Sequence, residues 1–156
     1  MLGGLDHVQR YIVYTDGSCS GNPGPGGWAF CVIAEGFSSD EGGQFSQAGG
    51  VPLTTSNQME LRAASEALKW LRDNAVIPCE IRLHTDSKYV CGGMSEWLEK
   101  WKANRWRTLG KTPVANRDQW VELDQLSQEL ASHKVKIEWK WVCLLYTSPS
   151  PRDRQK

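Results

Sequence analysis

The run Gly21-Asn22-Pro23-Gly24-Pro25-Gly26-Gly27 constrains the fold of this chain more than any other stretch. Residues of this kind mark turns, and proline removes a backbone donor that a helix or central strand would need. On one side lies Tyr11 to Thr15, aromatic and β-branched, with apolar residues on both alternating faces. On the other lies Trp28 to Ala34, again strand-like. Two such segments joined by dense turn chemistry predict a hairpin, with the first a central strand that Asp16-Gly17-Ser18 stops. The glycines are a poor phosphate loop: no Lys-Ser/Thr pair follows them, and they lead into a strand, whereas a dinucleotide fingerprint opens a helix.

A third strand is expected around Gln44 to Val51, and then the period of the apolar residues changes. Met59, Ala63, Ala67 and Leu71 are spaced by four, with Ala64 and Leu68 widening the stripe, as a core-facing helix requires. Thr55 or Ser56 is placed to cap it. Glu80 to Thr85 reads as a short strand ending in Asp86-Ser87, and Lys88 to Lys102 as one or two helical pieces broken near Gly92-Gly93. Asn116 with Gln119 resembles a capping box for a helix carrying Trp120, Leu123, Leu126 and Leu130, followed by a strand from Val135 to Val142. The natural assembly is an α/β sheet with an antiparallel first half. At 156 residues, 40% hydrophobic and 23% charged, the chain suits one globular domain.

The five cysteines are odd in number, widely spaced and free of any C-x-x-C pair, which predicts reduced thiols and no zinc site. Residues 1–9 lack the apolar run of a signal peptide, and no stretch approaches the length of a membrane span. A soluble cytoplasmic protein with no membrane partner is expected. Eighteen basic and eighteen acidic residues cancel, but their distribution is uneven. Lys100 to Arg117 holds six basic residues and no acid, which leaves twelve basic against eighteen acidic residues elsewhere. Ordinary solvated faces mix signs, so this segment suits a polyanion.

Three acids stand out by position: Asp16 after the first strand, Glu60 in the first turn of the long helix, and Asp86 after the fourth strand. Strand ends and a helix start can share one sheet edge. Carboxylates gathered there repel one another unless a cation intervenes, and hard oxygen ligands suit Mg²⁺, with Mn²⁺ as a substitute. The same acids also suit plainer roles, Glu60 complementing the helix dipole and the two aspartates forming turns. Pattern by itself leaves both open.

Four blocks, in order, resemble the type 1 ribonuclease H family between about Tyr11 and Val142. They are Tyr14-Thr15-Asp16-Gly17-Ser18-Cys19 with the glycine/proline run, Thr54-Thr55-Ser56-Asn57-Gln58-Met59-Glu60-Leu61, Thr85-Asp86-Ser87-Lys88-Tyr89-Val90, and the Trp-rich basic segment ending near Trp120. The resemblance implies a ribonuclease H-like mixed five-stranded sheet flanked by helices. It implies a two-metal site in which Asp16, Glu60 and Asp86 are three of four carboxylates, and a monomeric endonuclease that cuts the RNA strand of an RNA/DNA hybrid, leaving 5′-phosphate and 3′-hydroxyl ends. Carried over as hybrid contacts are Cys19, Asn22, Thr55, Ser56, Asn57, Gln58 and Lys88. From the basic protrusion come Lys102, Arg105, Trp106, Arg107 and Lys111. Amides such as those of Asn22, Asn57 and Gln58 donate and accept, as a 2′-hydroxyl requires; turn and cap chemistry is their alternative role. Of the indoles in the protrusion, Trp106 is the one expected to reach the DNA strand, the others packing together. Trp70, His84 and His133 are assigned to packing or surface.

The resemblance stops after Val142, where the family continues with a glycine/histidine loop and a helix bearing the fourth aspartate. Cys143 instead begins a stretch without periodicity that holds two prolines and resembles translated sequencing-adapter DNA. The expected organisation is an N-terminal extension over residues 1–10, a ribonuclease H domain over 11–142, and a disordered, non-native tail over 143–156, with the C-terminal helix missing. Three readings follow: a hybrid-cleaving enzyme, a module that binds hybrid with little or no cleavage for want of the fourth carboxylate and the loop histidine, and another nuclease or recombinase of the ribonuclease H-like superfamily. The glycine-rich and basic blocks disfavour the last.

Overall fold

Residues 8–36 and 43–142 are described by a computed structural model of the chain. The stretch 143–156, the expected missing helix, and residues 1–7 of the expected extension lie outside them. Five strands, β1 (Gln9–Cys19), β2 (Gly24–Ala34), β3 (Gln44–Thr54), β4 (Cys79–Thr85) and β5 (Val135–Trp141), form one sheet in the order β3-β2-β1-β4-β5. β1, β2 and β3 are antiparallel neighbours, whereas β4 pairs parallel with both β1 and β5. This is the mixed five-stranded sheet expected from the sequence. β1 begins at Gln9, so residues 9 and 10 belong to the sheet and not to an extension.

The helix-covered face of the sheet is apolar because alternate residues point into it. Tyr11 and Val13 of β1, Trp28, Phe30 and Val32 of β2, and Cys79, Ile81 and Leu83 of β4 are all buried. Against them lies α1 (Ser56–Asn74), with Leu61, Ala64, Leu68 and Leu71 completely buried. Thr55 caps this helix in a reciprocal box: the Gln58 amide donates to Thr55 Oγ1 at 3.2 Å, and the Thr55 amide donates to Gln58 Oε1 at 3.2 Å.

Two expectations need correction. β1 does not stop at Asp16, because its pairing with β2 continues to Cys19 opposite Gly26. Only the pairing with β4 ends, at Thr15 opposite Thr85, so Asp16 sits where the strand has lost one of its two neighbours. Asn116 forms no capping box with Gln119. It precedes α4 (Arg117–Ser132) in a left-handed conformation, φ 58°, and makes no side-chain cap bond.

The break expected at Gly92-Gly93 is a change of helical pitch. α2 (Lys88–Gly92) runs through a π-helical turn (Gly93–Trp97) into α3 (Leu98–Ala103). A Cβ on Gly93 would stand 2.6 Å from Cζ3 of the Trp120 ring. Trp120 is fully buried, so it has nowhere to go. Gly93→Ala should therefore destabilise by about 1–3 kcal/mol, as overpacking of a dense core does. Thermal unfolding should show a fall of roughly 2–4 °C per kcal/mol for a chain of this size; an unchanged midpoint would mean that the Trp120 ring yields freely.

Candidate metal centre and nucleic-acid interface

Three elements converge at the end of the sheet where β1 and β4 part. β1 supplies Asp16, the residue after β4 is Asp86, and α1 supplies Glu60 from its fifth position, just past the first turn in which the sequence pattern sets it. The approach of β1 to α1 depends on Gly17. A Cβ there would lie 2.5 Å from the Glu60 nitrogen and 2.6 Å from the Met59 carbonyl oxygen, so only glycine lets the strand touch the helix backbone. One carboxylate oxygen from each of Asp16, Glu60 and Asp86 falls within 4.8 Å of the others.

Metal-ligating donor chemistry fits this cluster. Glu60 Oε1 and Asp86 Oδ1 are buried without a hydrogen-bond partner, although buried polar atoms are as a rule satisfied. The Glu60 carboxyl is pushed up to about 9. Burial is the main cause, followed by the negative charges of Asp86 and Asp16 and a hydrogen bond with Asp86; a bond from the Gly17 backbone works weakly the other way. Three acids this close, with an oxygen of Glu60 and of Asp86 buried between them, form a site that a divalent cation would complete.

The predicted hybrid contacts fall into two groups. The first surrounds the start of α1. Asn22 Oδ1 accepts from the Ser56 amide at 2.9 Å, tying the β1–β2 turn to the helix, and the Cys19 thiol donates to the Thr54 carbonyl at 3.1 Å. Gln58 is occupied at both ends of its amide: Oε1 accepts from Thr54 Oγ1 at 2.8 Å as well as from the Thr55 amide, and Nε2 donates to Asn116 Oδ1 at 3.3 Å. Asn57 is exposed. Lys88 holds its ammonium 4.8 Å from the centre of the Trp141 ring.

The second group is the basic protrusion. Arg105, Arg107 and Lys111, with Arg117, line one concavity of about 600 Å³. Lys102 is not with them. Its Nζ lies 3.3 Å from Asp124 Oδ1, and Asp124 is only 7% exposed, so Lys102 spends its charge anchoring α3 to α4. The acid-free stretch hid this pairing because the partner lies 22 residues on. Trp101 stacks obliquely between Trp97 and Trp120, with centroids 6.0 and 5.1 Å away, as the packing role predicted. Trp106 is half-buried beside them in a left-handed backbone, φ 61°.

Sequence reasoning missed Tyr89 and Asn116. The Tyr89 hydroxyl accepts from Asn116 Nδ2 at 3.1 Å and from Trp120 Nε1 at 3.0 Å, and Asn116 in turn accepts from Gln58. This chain of bonds couples the start of α1 to the protrusion, and nothing in local spacing announces it. Trp70 stacks on Phe45 at 4.6 Å and His84 on Tyr14 at 4.9 Å, both in packing roles as expected, while His133 is exposed at the end of α4. Cys19, Cys31, Cys79 and Cys91 are free thiols, and among the described residues no helix is long and apolar enough to cross a membrane.

A family model described as RNase H matches residues 8–143. The ribonuclease H of Nitrosomonas eutropha is 46% identical over 138 residues, spanning 86% of this chain and 78% of that protein. The ribonuclease H of Cupriavidus necator is 47% identical over 135 residues, spanning 86% and 83%. Among solved structures, LC9-RNase H1, described as a type 1 RNase H with the type 2 active-site motif, is similar with a TM-score of 0.70 at 26% identity, over 96% of this chain and 69% of that one. LC11-RNase H1, solved in complex with an RNA/DNA hybrid, shares the fold with a TM-score of 0.58 at 18% identity, over 84% of this chain and 85% of that one.

The raised Glu60 carboxyl has a consequence for stability. The folded protein in chelator keeps a proton on Glu60 that the unfolded chain gives up near 4.5, so folding is progressively penalised as the pH rises from about 4.5 to about 9. Glu60→Gln removes the penalty. At pH 8 in chelator its thermal midpoint should exceed the parent's by a few degrees, and at pH 4 the gain should vanish; a gain of equal size at both values would refute the electrostatic origin.

Proposed function

The chain belongs to the ribonuclease H family, and we propose that it hydrolyses the RNA strand of RNA/DNA hybrids with Asp16, Glu60 and Asp86 as its metal-holding carboxylates. The observation that carries this reading is the convergence of those three acids within 4.8 Å, with one buried oxygen each of Glu60 and Asp86 lacking a hydrogen-bond partner. Mg²⁺ is the expected ion, with Mn²⁺ able to replace it, because both are hard cations that take oxygen ligands. A divalent cation held there supplies an activated water and offsets the charge that builds on the leaving oxygen of a phosphodiester.

The rest of the work falls to the chain's own groups. At the start of α1, Asn22 and Ser56 are fixed to one another, while exposed Asn57 presents an amide that both donates and accepts. That is the chemistry needed to read a 2′-hydroxyl in a shallow minor groove, and it tells RNA from DNA without reading sequence. Cys19, Thr55 and Gln58 hold this corner in shape, and Thr55 would also meet a phosphate of the DNA strand. Lys88 follows Asp86 by two residues and holds its ammonium over the Trp141 ring. Arg105, Arg107 and Lys111, with Arg117, offer a cationic concavity to the phosphate backbone, and half-buried Trp106, between the two arginines in sequence, packs against the core. The domain over residues 11–142, extended back to β1's start at Gln9, acts as a cytoplasmic monomer in this reading.

Asp16→Asn is the direct test. It removes one charge from the cluster while leaving the Gly17 contact in place, and should reduce hybrid cleavage by more than the roughly 10–100-fold typical of an outer-sphere change at a metal site. Hybrid binding and the fold should survive. Cleavage at the parent's rate would refute the site assignment, and a parent that binds labelled hybrid without cutting it in Mg²⁺ or Mn²⁺ would favour the binding-module reading.

The protrusion makes a separate prediction. Neutralising Arg105 and Arg107 should lower the slope of log affinity against log salt by about 0.7–0.9 for each lost phosphate contact. Lys102→Met should leave that slope nearly unchanged but lower the thermal midpoint, because it leaves the buried Asp124 carboxylate with the Gln128 amide but without the Lys102 cation. Equal slope changes in all three would place Lys102 on the phosphates after all.

A further inference from the structure

Trp141 is 45% exposed at the end of β5, so core packing is not what holds its indole. Its indole meets the backbone of the third carboxylate's residue and the lysine two residues on. Parallel pairing sets Trp141 opposite Thr85, and the Val142 amide donates to the Thr85 carbonyl at 2.9 Å, which carries the end of β5 past the end of β4. From there the indole Nε1–H donates to the backbone carbonyl of Asp86 at 3.2 Å. The ring's face carries the Lys88 ammonium, 4.8 Å from its centre.

The peptide that Trp141 grips is the one whose orientation aims the Asp86 side chain. It is held on its far side as well, where the Ser87 amide donates to Thr85 Oγ1 at 3.0 Å and Ser87 Oγ caps α2 by accepting from the Val90 amide at 3.1 Å. Without the indole bond the Asp86 carbonyl loses this protein partner, and the peptide plane, still tied through the Ser87 amide, gains freedom to rock about that bond. The rocking would let the Asp86 side chain swing out of reach of Asp16 and Glu60, with which it shares the cluster. We propose that Trp141 is a positioning residue for the metal centre: its N–H fixes the Asp86 peptide, and its ring holds the Lys88 cation at the start of α2. The inference rests on reading the acidic cluster as a metal site.

Substitution separates the two halves of the role. Trp141→Phe keeps a ring beneath Lys88 and loses the N–H, Trp141→Leu loses both, and Trp139→Phe makes the same chemical change two residues back on the same strand. Mn²⁺ affinity, measured by calorimetric titration of the full chain, is compared with the thermal midpoint in chelator. Trp141→Phe should bind Mn²⁺ about tenfold more weakly, within the range seen for groups that orient metal ligands, with its chelator midpoint within about 2 °C of the parent. Trp141→Leu should bind at least as weakly, and Trp139→Phe should lose midpoint but not affinity. Affinity in Trp141→Phe within about twofold of the parent, an equal loss in Trp139→Phe, or a large fall of the Trp141→Phe chelator midpoint would each overturn the inference while leaving the metal site standing. A parent that binds no Mn²⁺, or an Asp16→Asn protein that binds it as tightly as the parent, would overturn the reading of the cluster and the inference with it.

Discussion

The contact of Gly17 with the first turn of α1 is the constraint on which the rest of the molecule turns. A strand normally stands off a helix by the length of its side chains. Here the backbones of β1 and α1 meet, since even a methyl group on Gly17 would come within 2.5 Å of the Glu60 nitrogen. That closeness brings Asp16 beside Glu60. It occurs at the place where β1 has lost β4 but kept β2, so the strand is still held straight while one side is open to receive Asp86.

Bringing the acids together is unfavourable by itself, and the fold resists the repulsion with a rigid frame. Glu60 is fixed by a helix whose start is capped reciprocally by Thr55 and Gln58. Asp86 is fixed by a turn whose neighbours Thr85 and Ser87 are bonded to one another. The cluster therefore stays assembled in the folded protein, and the cost shows as a proton retained on Glu60 rather than as separated side chains. Such preorganisation is what lets a site bind a cation without first rearranging.

The protrusion is held by different physics. A ladder of Trp97, Trp101, Trp120 and Tyr89 rings packs it to the body, and half-buried Lys102, paired with buried Asp124, pins α3 to α4. With those anchors inside, Arg105, Arg107, Lys111 and Arg117 are left to face solvent together. Tyr89 ties the two regions, since its hydroxyl meets both Trp120 and Asn116, and Asn116 meets Gln58 at the head of α1. The corner that would read the minor groove and the surface that would meet phosphates thus share one hydrogen-bonded path.

Sequence by itself determined what local chemistry and periodicity can specify. The glycine/proline run forced the hairpin, the four-residue spacing from Met59 to Leu71 forced the long helix, and the family's ordered blocks pointed to Asp16, Glu60 and Asp86. Where the outcome depended on a partner far along the chain, local signals misled. Asp16-Gly17-Ser18 reads as a strand stop, yet β2 continues to pair with it through Cys19. Asn116 reads as a cap, but its amide is taken by Gln58 and Tyr89. Lys102 reads as one more phosphate ligand until Asp124 is found against it, and Trp141 reaches Asp86 only because parallel register sets it opposite Thr85. Residue type and spacing fix which groups can bond; only the packed sheet and helices decide which of them meet, because those contacts join elements that are distant in sequence.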